Sequence, residues 1–131
     1  MVSRRHFMKY LGVLGGILLA CPARWARAGS LQLSLEKVEK LQSAGGSVIL
    51  KIKGKDILFI RDTETTVRAL DPVCTHKGCI VAFNKGANRI ECPCHQSVYD
   101  MEGRVLAGPA PRGLKNYDAE LKDQKIIFSL D

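Results

Sequence analysis

Residues 92–97, Cys92-Pro93-Cys94-His95-Gln96-Ser97, place two thiols and an imidazole within four positions, in a chain with only 5 Cys and 3 His. A second stretch of the same kind, Cys74-Thr75-His76-Lys77-Gly78-Cys79, precedes it. Together they read Cys74-x-His76, then Cys92-x-x-His95, so each stretch offers one thiolate and one imidazole. Each also holds a further cysteine, Cys79 and Cys94. Structural zinc accepts such donors, but zinc-finger spacing usually pairs Cys with Cys and His with His, and here both halves are mixed. Four thiols could hold an all-cysteine iron–sulfur cluster, which would leave both histidines without a role. A third option uses the mixture: two irons bridged by sulfides, one on Cys74 and Cys92, the other on His76 and His95.

The elements that must position these donors read as strands and turns. Leu31–Leu35 alternates apolar and polar residues, and 47–54 (SVILKIKG) is β-branched with alternation at its end. It meets 55–62 (KDILFIRD) across Gly54, a hairpin signal. Residues 65–70 (TTVRAL) form another expected strand. Residues 115–121 and 125–130 flank Lys122-Asp123-Gln124 as a second hairpin. Between these outer pieces lies a Gly-, Pro- and Cys-rich segment, about 71–114, with short strands at 79–83 and 89–92 joined by a turn around Asn84 to Asn88. Residues 34–42 carry apolar side chains at helical spacing (Leu35, Val38, Leu41), but over so short a length that a turn of helix and a loop fit equally. The expected architecture is an all-β domain with a ligand-bearing lobe inserted between its strands.

The first 28 residues have another character. A basic start, an apolar run from Tyr10 to Ala23 and a small-residue end have the shape of an export signal. The pair Arg4-Arg5 resembles the twin-arginine signal, whose route carries folded proteins. The apolar run is 14 residues and includes Pro22, whereas a membrane-spanning helix needs roughly 20. Ala26-Arg27-Ala28 offers a cleavage site, and Leu18–Cys21 faintly resembles a lipoprotein site. The expectation for 1–28 is therefore an export segment or short anchor, with lipidation of Cys21 the less favoured outcome. This segment also explains the net charge of +7: from Gly29 onward 15 Lys/Arg face 13 Asp/Glu, interspersed. The balance gives no basic patch for nucleic acid, which is set aside as a partner.

The pair of motifs, with Ser97 to Asp100 and Gly108 to Leu114 beyond them, resembles the two-part motif of Rieske [2Fe–2S] proteins. The resemblance implies a Rieske-like antiparallel β-sandwich over 29–131 with a cluster-binding lobe at about 71–114. It implies one Rieske-type [2Fe–2S] cluster held by Cys74, His76, Cys92 and His95. Cys79 and Cys94 stand where the family's quinol-oxidising members carry a disulfide between the cluster loops, and an exported protein is where disulfides persist. Ser97 and Tyr99 match positions whose hydroxyls donate to a bridging sulfide and to the first cysteine ligand. Gly108, Pro109 and Pro111 match the proline loop that shields the cluster.

The implied function is one-electron transfer as the iron–sulfur subunit of a cytochrome bc-type quinol:cytochrome oxidoreductase on the periplasmic face of a bacterial membrane. His76 and His95 would face quinol, and a b-type membrane subunit and a c-type cytochrome would be partners. Alternatives are the small Rieske subunit of a periplasmic molybdenum enzyme such as arsenite oxidase, and a free periplasmic carrier. The sequence departs from the pattern at three places. Lys77 replaces a usual Leu, Gln96 replaces a usual Gly, and 26–30 offers only a minimal hinge.

Overall fold

The computed structural model describes residues 29–131; the expected export segment, its cleavage site and Cys21 lie outside them. Eleven short strands run β1 (Leu31–Ser34), β2 (Ser47–Ile52), β3 (Lys55–Arg61), β4 (Val67–Leu70), β5 (Ala82–Asn84), β6 (Arg89–Glu91), β7 (Val98–Tyr99), β8 (Val105–Ala107), β9 (Asn116–Tyr117), β10 (Ala119–Lys122) and β11 (Lys125–Phe128). They form three antiparallel sheets, ordered β1-β11-β10, β2-β3-β4-β9 and β5-β6-β7-β8. Residues 34–42 resolve into two 3-10 turns, Leu35–Lys37 and Glu39–Leu41, which bury Leu35 and Leu41. Among the described residues no helix is long and apolar enough to cross a membrane.

Strand β3 explains how the layers stack. Its run Ile57-Leu58-Phe59-Ile60 is almost wholly buried, as an apolar run without alternation demands when both faces of a sheet are covered. Side chains alternate across a strand. Ile57 and Phe59 therefore enter one core with Val67, Ala69, Tyr117, Ile126 and Phe128. Leu58 and Ile60 enter the other, with Leu70, Val81, Ile90, Tyr99, Met101 and Leu114. The first core lies between the two base sheets and includes an edge-to-face pair, Phe59 and Phe128, with ring centroids 5.1 Å apart. Such a pair contributes about 1 kcal/mol beyond its buried area. The second core joins the middle sheet to the lobe, so the strand that holds the sandwich together also seats the lobe.

The two expected hairpins form with two-residue turns. Lys53-Gly54 and Asp123-Gln124 all have positive φ, between the closing pairs Ile52↔Lys55 and Lys122↔Lys125. That is the conformation tight hairpin turns favour. The expected single strand at 115–121 is two: β9 pairs with β4 and β10 with β11, with a break at Asp118 where the chain crosses between sheets. Residues 79–83 also differ, because Cys79 stays in its loop, Ile80 makes only an isolated bridge to Val73, and the strand begins at Ala82.

The lobe carries the two donor stretches as loops of the same construction. In the first, the Cys74 N–H donates to the Cys79 carbonyl (2.7 Å) and the Gly78 N–H to the Cys74 carbonyl (2.9 Å). In the second, the Cys92 N–H donates to the Ser97 carbonyl (2.8 Å) and the Gln96 N–H to the Cys92 carbonyl (3.1 Å). The fifth residue of each loop is left-handed, Gly78 at φ +76° and Gln96 at φ +60°. Gly accepts that conformation freely, while a side chain at Cβ is strained there. Gln96 is thus a strained residue in a position its counterpart fills with glycine.

One ionic link ties the lobe to the base, and a second network braces the lobe's own turn. Arg68 on β4 reaches Asp62 (3.0 Å) and Glu102 (2.9 Å), the latter in the β7–β8 turn. In that turn the Asp100 carboxylate accepts the N–H groups of Glu102 and Arg104, both at 2.9 Å, and the Arg104 Nε–H at 2.6 Å. Burial pushes the Asp100 carboxyl up, but the hydrogen bonds and charge of Arg104 and the Glu102 N–H outweigh it and hold the group below its ordinary 3.8. A depressed carboxyl stabilises the fold above its unfolded-state pKa and loses that contribution as pH falls through the folded value.

Replacing Gln96 with Gly is expected to raise the denaturation midpoint, a gain of about 1 kcal/mol. An unchanged or lower midpoint in guanidinium unfolding would contradict the strain. Asp100→Asn is expected to cost about 1 kcal/mol at neutral pH and to flatten the loss of stability below pH ~4. Parallel acid titrations of the two proteins followed by circular dichroism check this, and superimposable curves would remove Asp100 from the account.

Candidate metal centre

The two loops converge at the end of the lobe. Cys74 and Cys92 are free and buried, each 2% exposed. His76 and His95 meet edge to face, ring centroids 4.6 Å apart and planes at 87°, with His95 exposed and His76 half-buried. Cys79 and Cys94 form a disulfide that joins the two loops, Cα atoms 6.4 Å apart. The sulfurs of Cys79, Cys92 and Cys94 lie within 4.8 Å of one another. Two of these are consumed in the disulfide, so only Cys92 of the three is free to bind a metal. This removes the four-thiol cluster as an option and leaves two thiols and two imidazoles.

The residues themselves test whether a metal fits. The Nδ1 of His76 is buried with no hydrogen-bond partner among the described residues. An unpartnered buried polar atom costs free energy, and ligation satisfies it. Burial pushes the Cys74 thiol up, but hydrogen bonds from Tyr99, the His76 N–H, Cys92 and Ser97 more than offset it and bring the thiol below its ordinary 9.0. Those donors favour thiolate, the form that binds metal. Burial, then the nearby charges of His95 and Lys77, lower His76 and favour the neutral imidazole that ligation requires. Both shifts point toward a ligand set.

Tyr99 and Ser97, the two residues expected to tune a cluster, both reach the donor loops. Tyr99, at the heart of the lobe core and fully buried, puts its hydroxyl 3.2 Å from the Cys74 sulfur. Burial and the contact with Cys74 raise its pKa, keeping the phenol protonated. Ser97 is also fully buried, and its Oγ accepts the Ala110 N–H at 3.2 Å, leaving its own hydroxyl hydrogen free to donate. It thus both braces the neighbouring loop and keeps a hydrogen for the site.

The proline loop closes over both donor loops. A Cβ on Gly108 would lie 2.5 Å from Ser97 Cα and 2.7 Å from the Gln96 carbonyl oxygen, at φ +88°. Only glycine allows that approach. Pro109 and Pro111 lie exposed on its outer side. Thr75, a residue that sequence reading did not single out, is the clasp at the other end. Its Oγ1 donates to the Arg112 carbonyl at 2.6 Å, and its N–H points to the Tyr99 hydroxyl at 3.4 Å. Nothing in the residue type signals this role; its place between Cys74 and His76 was the only available hint.

Comparison with known proteins accords with this geometry. A family model described as "Rieske [2Fe-2S] domain" matches residues 32–118. The chain is 30% identical to the cytochrome b6-f complex iron-sulfur subunit of Desmonostoc sp. (strain PCC 7906), covering 98% of this chain and 84% of that relative. It is 39% identical to a chloroplastic cytochrome b6-f complex iron-sulfur subunit of Nicotiana tabacum, over 59% of this chain and 35% of that one. Among solved structures it is similar to the cyanobacterial plasma membrane Rieske protein of Synechocystis PCC 6803, with TM-score 0.64, 25% identity, and 76% and 98% of the two chains covered. It is also similar to a chain of a hyperthermophilic respiratory Complex III, with TM-score 0.56, 29% identity, and 72% and 71% covered. A matching family model over most of the described residues, on a lobe whose free thiols and paired imidazoles suit a mixed-ligand site, identifies the chain as a member of the Rieske [2Fe–2S] domain family with a Rieske-type [2Fe–2S] cluster as its cofactor.

Proposed function

We propose that this chain is the electron-carrying iron–sulfur subunit of a cytochrome bc-type quinol:cytochrome oxidoreductase. Cys74 and Cys92 would hold one iron and His76 and His95 the other. The observation that carries the reading is the division of the site: both free thiols are buried, while the imidazoles meet on the outer side with His95 exposed. A one-electron centre with a solvent-facing imidazole can hand charge and a proton to different partners. Relatives named as cytochrome b6-f iron-sulfur subunits and a Complex III chain support the same assignment.

When bound, the cluster supplies reversible one-electron chemistry, at a potential raised by imidazole in place of thiolate. The protein's part is to tune and shield it. The Tyr99 hydroxyl beside Cys74 and the Ser97 hydroxyl hydrogen favour added negative charge by hydrogen bonding. Gly108 lets the proline loop lie against the second donor loop, Thr75 and Ser97 pin that loop to both sides, and water is excluded from the thiols. The imidazoles of His76 and His95 would face quinol, the exposed His95 accepting a hydrogen bond or proton from its hydroxyl. Its acceptor would be a c-type cytochrome, and its membrane partner a b-type subunit.

The same reading covers the N-terminus. Residues 1–28 would act as a twin-arginine-type export segment or short anchor, with 29–131 as the working domain on the periplasmic face. A cofactor inserted before export gives a physical reason for a route that carries folded chains. Cell fractionation and the intact mass of the exported protein decide between anchor, cleavage and lipid.

The reduced protein is expected to show the low-average-g electron paramagnetic resonance signal of mixed His/Cys ligation, and a four-thiolate spectrum would sink the ligand assignment. Tyr99→Phe and Ser97→Ala should each lower the reduction potential while the cluster is retained; unchanged potentials in both, measured by protein-film voltammetry, would refute the tuning roles. Replacing Cys79 and Cys94 together with Ser should speed loss of the cluster's visible absorbance on mild heating, beyond the general destabilisation of about 2–4 kcal/mol. Equal bleaching rates at equal fractions folded would show that the bridge has no local role.

A further inference from the structure

The charges of the described domain are not evenly used. Of its five arginines, four are paired with carboxylates: Arg61 with Glu64, Arg68 with Asp62 and Glu102, Arg89 with Glu91, and Arg104 with Asp100 and Glu102. Arg112, on the proline loop, is the exception; it is exposed and makes no ion pair among the described residues. Lys77, at the tip of the first donor loop, is likewise exposed and unpaired there. The three segments that cover the site, 72–80, 92–97 and 105–113, contain these two cations and no Asp or Glu. Apolar side chains lie among them: Val73 and Ile80, the bridged pair at the base of the first loop, are 42% and 44% exposed, and Leu106 is 61% exposed.

An exposed ammonium is costly to press into an apolar pocket, though its flexible stem lets the charge stay in water while a neighbouring imidazole makes contact. Exposed apolar groups on segments that also carry two unpaired cations and no carboxylate have the make-up of a surface that meets a complementary charged partner. We propose that the cluster end of the lobe is a cationic docking face for an acidic, water-soluble electron-transfer protein, with Lys77 and Arg112 as the residues that select it. This rests on the electron-carrier reading above and adds the charge class of the acceptor. Like-sign covering segments would steer such a partner onto the end of the molecule where His76 and His95 lie, shortening the path for the electron.

The test is stopped-flow oxidation of the full reduced protein by two c-type cytochromes of similar potential, one acidic and one basic. The rate with the acidic cytochrome is expected to exceed that with the basic one at low salt and to fall roughly tenfold between about 0.01 and about 0.5 M salt. Lys77→Leu and Arg112→Gln, together, should cut the acidic-to-basic rate ratio several-fold and flatten the salt dependence. The ratio is the readout because any change in potential affects both acceptors alike. A salt-insensitive rate, a preference for the basic cytochrome, or an unchanged ratio in the double variant would overturn the docking face while leaving the carrier reading intact, provided the mixed-ligand resonance signal persists. A protein without that signal would overturn the carrier reading instead.

Discussion

Two buried thiols and two imidazoles from two loops without regular structure are held together at one end of the lobe, and that constraint governs it. Neither loop has a sheet ladder of its own to set it. Position comes from cross-links: the Cys79–Cys94 bridge between the loops, the Tyr99 hydroxyl against Cys74, and the proline loop tied to Thr75 on one side and Ser97 on the other. Each link joins segments far apart in sequence. These links also hold the buried thiols and the unpartnered His76 nitrogen, the last of which ligation would satisfy.

The rest of the domain gives those links something rigid to act against. Tyr99 belongs to β7, whose neighbours carry Ile90 and Val105, and its ring fills the core that Leu58 and Ile60 share from the base. A phenol pinned on its apolar ring has little freedom at its hydroxyl. The other face of β3 is occupied by the base core, so movement of the lobe would disturb both. Arg61, at the end of the same strand, is 5% exposed and gives its guanidinium to the carbonyls of Leu41 (2.9 Å) and Gln42 (2.7 Å), anchoring the 3-10 turns. Base, lobe and site are thus mechanically continuous through one strand.

The site was legible in sequence because its chemistry lies in residue types at short spacing: two Cys/His stretches, a spare cysteine in each, and the serine and tyrosine that follow. The long strands and both tight hairpins were legible from alternation and from Gly54. What escaped reading has physical reasons. Tyr117, Ala119 and Leu121 keep strict alternation toward one core while the chain changes partner at Asp118, so the pattern bears no mark of the break. Strands β7 and β8 are two and three residues long, too short for any period to show. The work of Thr75, Arg61 and Asp100 lies in hydrogen bonds to distant or turn backbone, which residue type does not announce.

The like construction of the two donor loops sets where the chain tolerates change in length. In both, the first cysteine's N–H bonds the carbonyl five residues on, and the fifth residue's N–H returns to that cysteine. An inserted or deleted residue inside either loop breaks this double tie and moves a thiol. Between the loops lies the β5–β6 hairpin, whose turn residues are exposed and end in the pair Asn84↔Arg89. Lengthening that turn costs little, because loop-closure entropy grows slowly with length. An added residue at the hairpin tip would therefore leave the spacing inside each loop, and so the position of each thiol, unchanged.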